Sequence, residues 1–116
     1  MSVRRIVANL PGDPAVASFY RALLGLDPLM DLGFLVTLGA AQPGPVQLSI
    51  GREGGSGTAL PAISIEVDDF DAVLARAHAL GAAIVYGPAA EPWGVRRFYL
   101  RDPAGTLVNI VTHTEA

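Results

Sequence analysis

The sequence points to an α+β fold. Two βαβββ modules in tandem form a curved eight-stranded mixed sheet around a cleft, with helices on the outer face. Three observations carry this. Two segments of helical periodicity each follow a strand of alternating polarity. Each is followed by three more strand-like runs. A glycine-rich connector, "EGGSG" (53–57), separates the two sets. One such unit cannot bury both faces of its sheet; two side by side can, and the inner face then lines a cleft. On this reading one domain spans 1–116, with module one at 1–52, a linker at 53–58 and module two at 59–116.

The elements follow in order. "RRIVANL" alternates, with Ile6, Ala8 and Leu10 on one face and Arg5, Val7 and Asn9 on the other. In "GDPAVASFYRALLGLDP", Asp13 suits an N-cap, Pro14 suits the first turn, and Gly25 suits the stop. Val16, Phe19, Tyr20 and Leu23 recur at helical spacing, which predicts that Phe19 and Tyr20 are core residues. Strands are expected near 27–31, at 34–40 and at 45–51, with "QPGP" turning between the last two. In the second half, "AISIEV" places Ile63, Ile65 and Val67 opposite Ala62, Ser64 and Glu66. "VDDFDAVLARAHALGA" offers Asp69 as cap, Phe70, Val73, Leu74 and Ala77 as stripe, and Gly81 as stop. Strands at 82–87, 95–101 and 106–113 complete the module, and "DPAG" between the last two is a type I turn signal.

Composition narrows the function classes. A formal charge of −3 leaves no basic footprint for nucleic acid. Cysteine is absent, so disulfides and thiolate metal sites are excluded. Every basic side chain is arginine, so Schiff-base chemistry on lysine is impossible. The short apolar run before Pro11 does not match a signal-peptide core, and no run approaches a membrane span. A cytoplasmic protein without membrane partners is the expectation.

Strand parity names the cleft lining. Module one supplies Arg5, Val7, Asn9, Gln47 and Ser49; module two supplies Ala62, Ser64, Glu66, Arg97, Tyr99, Leu107, Asn109 and Val111, with Trp93 at the rim. The candidate ligand-binding residues are therefore Arg5, Val7, Asn9, Gln47, Ser49, Ser64, Glu66, Trp93, Arg97, Tyr99 and Asn109. Aromatic surface beside amides and hydroxyls suits a polyfunctional small molecule, and Arg5 with Arg97 could clamp an anion. Arg97 paired with Glu66 would instead seal the cleft. His113 reads as a rim residue. No nucleophile–base arrangement or phosphate loop is visible, and no catalytic residue is assigned.

Phe19–Tyr20, "IEVDDFDAVLARAHALGA" and "PWGVRRFYLRDPAGTLVNIV" together resemble the vicinal oxygen chelate superfamily, which holds glyoxalase I, ring-cleaving dioxygenases, fosfomycin-resistance enzymes and bleomycin-resistance proteins. The resemblance covers essentially the whole chain. It implies that enzymes of the family hold a divalent metal at four inward positions, which fall here on Arg5, Gln47, Ala62 and Asn109. A guanidinium, a methyl and two neutral amides do not suit such an ion, so no metal and no cofactor are expected. "PWG" (92–94) resembles the bleomycin-resistance branch, which implies a homodimer that binds a small molecule without turnover. Two other readings stand beside it: a metal-dependent lyase, isomerase or thiol transferase, and an accessory subunit whose cleft its own side chains fill.

Overall fold

Two mirror-ordered halves meet along one antiparallel seam, β1 (Val3–Pro11) against β5 (Ile63–Val67). The computed structural model describes residues 2–40, 44 and 46–114. The remaining strands are β2 (Asp27–Asp31), β3 (Leu35–Gly39), β4 (Val46–Gly51), β6 (Ala83–Glu91), β7 (Val95–Arg101) and β8 (Leu107–His113). The eight strands form one sheet in the order β2-β3-β4-β1-β5-β8-β7-β6. β1 runs parallel to β4 and β5 parallel to β8; the other neighbours are antiparallel, so the sheet is mixed as expected. "QPGP" falls largely on residues outside those described. No helix of the described residues is long and apolar enough to cross a membrane.

α2 (Phe70–Ala79) forms as the sequence implies. The Asp69 carboxylate accepts from the Ala72 N–H at 3.1 Å, satisfying one orphan donor of the first turn. Phe70 and Ala77 then bury against Phe98, Val108 and Ile110, with Val73, Leu74, Ile63 and Ile65 packed around them. The rings of Phe70 and Phe98 meet edge to face at 5.5 Å.

α1 (Ala17–Leu24) departs from expectation. Asp13 caps a short 3₁₀ turn, Pro14–Val16, by accepting from the Ala15 N–H, and the α-helix starts only at Ala17. Residues of a 3₁₀ turn advance further around the axis than those of an α-helix, so the apolar stripe is rotated. Ala17 and Tyr20 face the core with Leu38 and Ile50, whereas Phe19 and Leu23 are each 62% exposed. Phe19 is thus a surface residue.

β6 runs four residues beyond the expected stop at Gly87, ending at Glu91. It is an edge strand, where Pro88 withholds no required ladder bond, and its register shifts between Tyr86 and Ala89. The "DPAG" turn closes as read: the Gly105 N–H donates to the Asp102 carbonyl at 2.9 Å.

Candidate functional site

On the sheet face away from both helices lies a cavity of about 440 Å³. Arg5, Val7, Asn9, Gln47, Ser49, Ser64, Glu66, Trp93, Arg97 and Asn109 all line it. So does Val111. Ala62 and Leu107 do not: they lie where β5 and β8 begin, joined by a bond from the Ala62 N–H to the Leu107 carbonyl. Tyr99 is also outside the lining. It is 2% exposed, and its hydroxyl is held by Arg97 at 2.8 Å and Thr58 at 2.9 Å. Burial raises the Tyr99 phenol above its ordinary value, with Thr58 and Arg97 partly opposing.

A polar row crosses the cavity floor on five neighbouring strands: Thr37 on β3, Ser49 on β4, Asn9 on β1, Ser64 on β5 and Asn109 on β8. Period-two alternation puts all of them on the inner face. The hydroxyls of Thr37 and Ser49 share a bond at 2.7 Å. Ser64 Oγ accepts from Asn9 Nδ2 and from Asn109 Nδ2, each at 3.0 Å. Asn109 Oδ1 is buried without a partner.

Charged side chains are paired with one another. Arg97, 4% exposed, meets the Glu91 carboxylate through NH2 at 2.6 Å and Nε at 2.7 Å, and donates through NH1 to the Gly54 carbonyl at 2.8 Å. Its guanidinium lies 4.9 Å from the rings of Trp93 and Tyr99 and 5.4 Å from Tyr86. Arg97 therefore pairs with Glu91 and not with Glu66, so the alternative in which an Arg97–Glu66 pair seals the cleft does not hold. Burial pushes the Glu91 carboxyl upward, but hydrogen bonds from Tyr86, Ser56 and Arg97 outweigh it and hold Glu91 below its ordinary value. Glu66 pairs with Arg5, with Nε and Oε1 2.6 Å apart but the N–H aimed elsewhere, and with His113 Nδ1 at 3.3 Å. His113 joins the lining although its side chain is 59% exposed.

The connector is docked. Gly54 and Gly55 offer carbonyls to Arg97, Ser56 donates to Glu91 at 2.9 Å, and Thr58 bonds Tyr99. Glycine allows this approach. A Cβ on Gly54 would collide with Tyr99 Oη, the Ala59 carbonyl and Thr58 Oγ1. One on Gly55, at φ +82, would strike the rings of Phe34 and Trp93. A composition that reads as a flexible linker thus builds a cavity wall.

Sequence reasoning missed two groups. Glu91 lies past Gly87–Pro88, a breaker signal that ended the strand too early. Leu29, Met30, Leu32, Phe34 and Leu35 cover the cavity from β2, β3 and the turn between them. The apolar run on both sides of Asp31 was the available signal, because a solvated turn has no reason to carry it.

A model of the Glyoxalase/Bleomycin resistance protein/Dioxygenase superfamily matches residues 5–110. The chain belongs to that superfamily. Solved structures similar to it share the superfamily fold at low identity. A methylmalonyl-CoA epimerase aligns at 18% identity and TM-score 0.71, covering 99% of this chain and 97% of that one. A Vibrio splendidus 12B01 superfamily member aligns at 15% identity and TM-score 0.64, covering 96% and 99%. A structure described as NAD-dependent benzaldehyde dehydrogenase from Legionella pneumophila aligns at 15% identity and TM-score 0.72, covering 94% and 99%. No curated protein sequence matches the chain.

The metal held by enzymes of the superfamily does not fit the residues here. Of its four positions, Arg5 is a cation already paired with Glu66, Ala62 lies off the cavity, and Gln47 and Asn109 are neutral amides. Among the described residues no three His, Cys, Asp or Glu side chains stand close enough to share an ion. A guanidinium beside M²⁺ is repulsive by several kcal/mol at ~5 Å even at an effective dielectric near 20.

Proposed function

We propose that this chain is a metal-free small-molecule binding protein of the superfamily, which sequesters or carries an antibiotic-like or other polyfunctional metabolite. The cavity supports this most directly. Its volume falls in the range of small-molecule sites, about 300–1,000 Å³. Its walls are mainly apolar, and its floor is built from amides and hydroxyls, with Asn109 standing at one of the four positions where enzymes of the superfamily carry metal ligands. Arg5, Val7, Asn9, Gln47, Ser49, Ser64, Glu66, Trp93, Arg97 and Asn109 form the contact set; Tyr99 acts from behind by holding Arg97.

A homodimer belongs to this reading. Ile6 and Val46 are register neighbours on the outer face, 54% and 68% exposed, and Phe19 and Leu23 lie one helical turn apart on α1. The accessory-subunit reading loses its support, because Arg97 turns to Glu91 and leaves the cavity open. The metal-dependent reading, carried by the fold, is opposed by the donor set.

The test combines three measurements on purified protein. Elemental analysis should find less than one transition metal per chain after dialysis. Screening a natural-product library should reveal compounds that change Trp93 fluorescence. Mass spectrometry of those mixtures should recover the compound unaltered. Stoichiometric metal, or conversion of the compound, defeats the proposal.

A further inference from the structure

We infer that the molecule bound in this cavity is uncharged where it meets the protein, has an apolar body, and delivers one hydroxyl-like group to Asn109 and Ser64. This rests on the binding reading above and goes beyond it by naming the ligand class.

Charge is the first argument. The cavity's two guanidinium groups and the two carboxylates beside them are matched one to one in charge, Arg97 with Glu91 and Arg5 with Glu66, although Arg5 Nε and Glu66 Oε1 make no hydrogen bond. The Glu91 carboxylate takes further bonds from Tyr86 and Ser56, and Arg97 is spent on Gly54 and Tyr99. A ligand carboxylate or ammonium entering here would lose its water and meet neutralised pairs in exchange, which disfavours it. The expected anion clamp of Arg5 and Arg97 is thereby replaced by a neutral site.

The floor is the second argument, and it is independent. Ser64 Oγ accepts two amide N–H groups, so both its lone pairs are engaged while its own proton remains to be given. Asn109 is 6% exposed, yet its Oδ1 has no donor. Buried acceptors in folded proteins are nearly always satisfied, and this one lies on a cavity large enough for a ligand. The two vacancies are complementary: one group must give a proton to Asn109 Oδ1 and receive one from Ser64. A hydroxyl does both, as does a secondary amide. Val7, Leu29, Phe34, Leu60, Val95 and Val111 then receive the apolar body.

A series with one body and four heads tests this by isothermal titration calorimetry: 2-naphthalenemethanol, 2-methylnaphthalene, 2-naphthoate and 2-naphthylmethylammonium. The alcohol should bind about tenfold more tightly than each of the others, the worth of one net hydrogen bond. Asn109→Leu should erase the preference for the alcohol over 2-methylnaphthalene and leave the hydrocarbon's affinity unchanged. Ser64→Ala, a smaller change should the leucine not be accommodated, should do the same. Tightest binding by the naphthoate or the ammonium, or a preference surviving both substitutions, overturns the inference and leaves the binding reading standing. Failure of all four to bind up to their solubility limits overturns the inference alone, because the binding reading is tested separately by the library screen.

Discussion

Behind module two, Phe70 and Ala77 of α2 press onto Phe98, Val108 and Ile110; behind module one, only Ala17 and Tyr20 of α1 reach Leu38 and Ile50. The topology repeats but the burial does not. An aromatic pair anchors one helix, whereas an alanine and a rotated stripe hold the other. The same βαβββ plan can thus yield one half with a closed back and one whose outer face, at Ile6, Val46, Phe19 and Leu23, stays apolar and open.

The difference has measurable consequences. Phe98→Ala removes a ring with no exposure from the larger core and should cost about 4 kcal/mol in urea unfolding. Ile50→Val trims one methylene from the smaller core and should cost about 1 kcal/mol. A cost near zero at either position would mean that the side chain is not buried as described.

Glu91→Gln leaves the buried Arg97 unpaired and should cost about 3 kcal/mol at pH 7. It should also flatten the acid limb. The folded-state pKa of Glu91 lies below its ordinary 4.5, so its contribution is full above that value and is lost as pH falls through the lower, folded-state one. Wild type should therefore lose more stability between pH 7 and strong acid than the variant. Parallel curves would mean that the pair contributes nothing.

Gly54→Ala forces backbone and Tyr99 apart and should cost about 1–3 kcal/mol by thermal denaturation. The smallest expected effect is on the open face. Phe19→Ser with Leu23→Ser should change monomer stability by about 0.5 kcal/mol or less and, on the proposed homodimer, shift sedimentation toward monomer. Val73→Ser with Leu74→Ser on the other helix should destabilise instead. A sedimentation profile that Phe19 and Leu23 do not affect would remove the dimer from that face.

Much of this was legible in the sequence because alternation fixes which face a residue occupies. Asn9, Ser64 and Asn109 were placed on one surface by parity alone. Parity says nothing about depth, however, so Tyr99 was grouped with Asn109 although the connector covers it. Nor does it name partners. Arg97 faces the same side as Glu66, but the carboxylate that reaches it comes from a neighbouring strand, beyond a proline. For α1, helical spacing identified a stripe but not its rotation, which a three-residue turn before Ala17 decided.

The docking of Gly54, Gly55, Ser56 and Thr58 onto Arg97, Glu91 and Tyr99 sets a rule for rebuilding this molecule. The joint between the halves is masonry and not a hinge. Cutting or lengthening it for permutation or for swapping halves would strip a guanidinium of its carbonyl partners and uncover the Arg97–Glu91 pair to water. The chamber would lose a wall without any change to its floor or to its net charge.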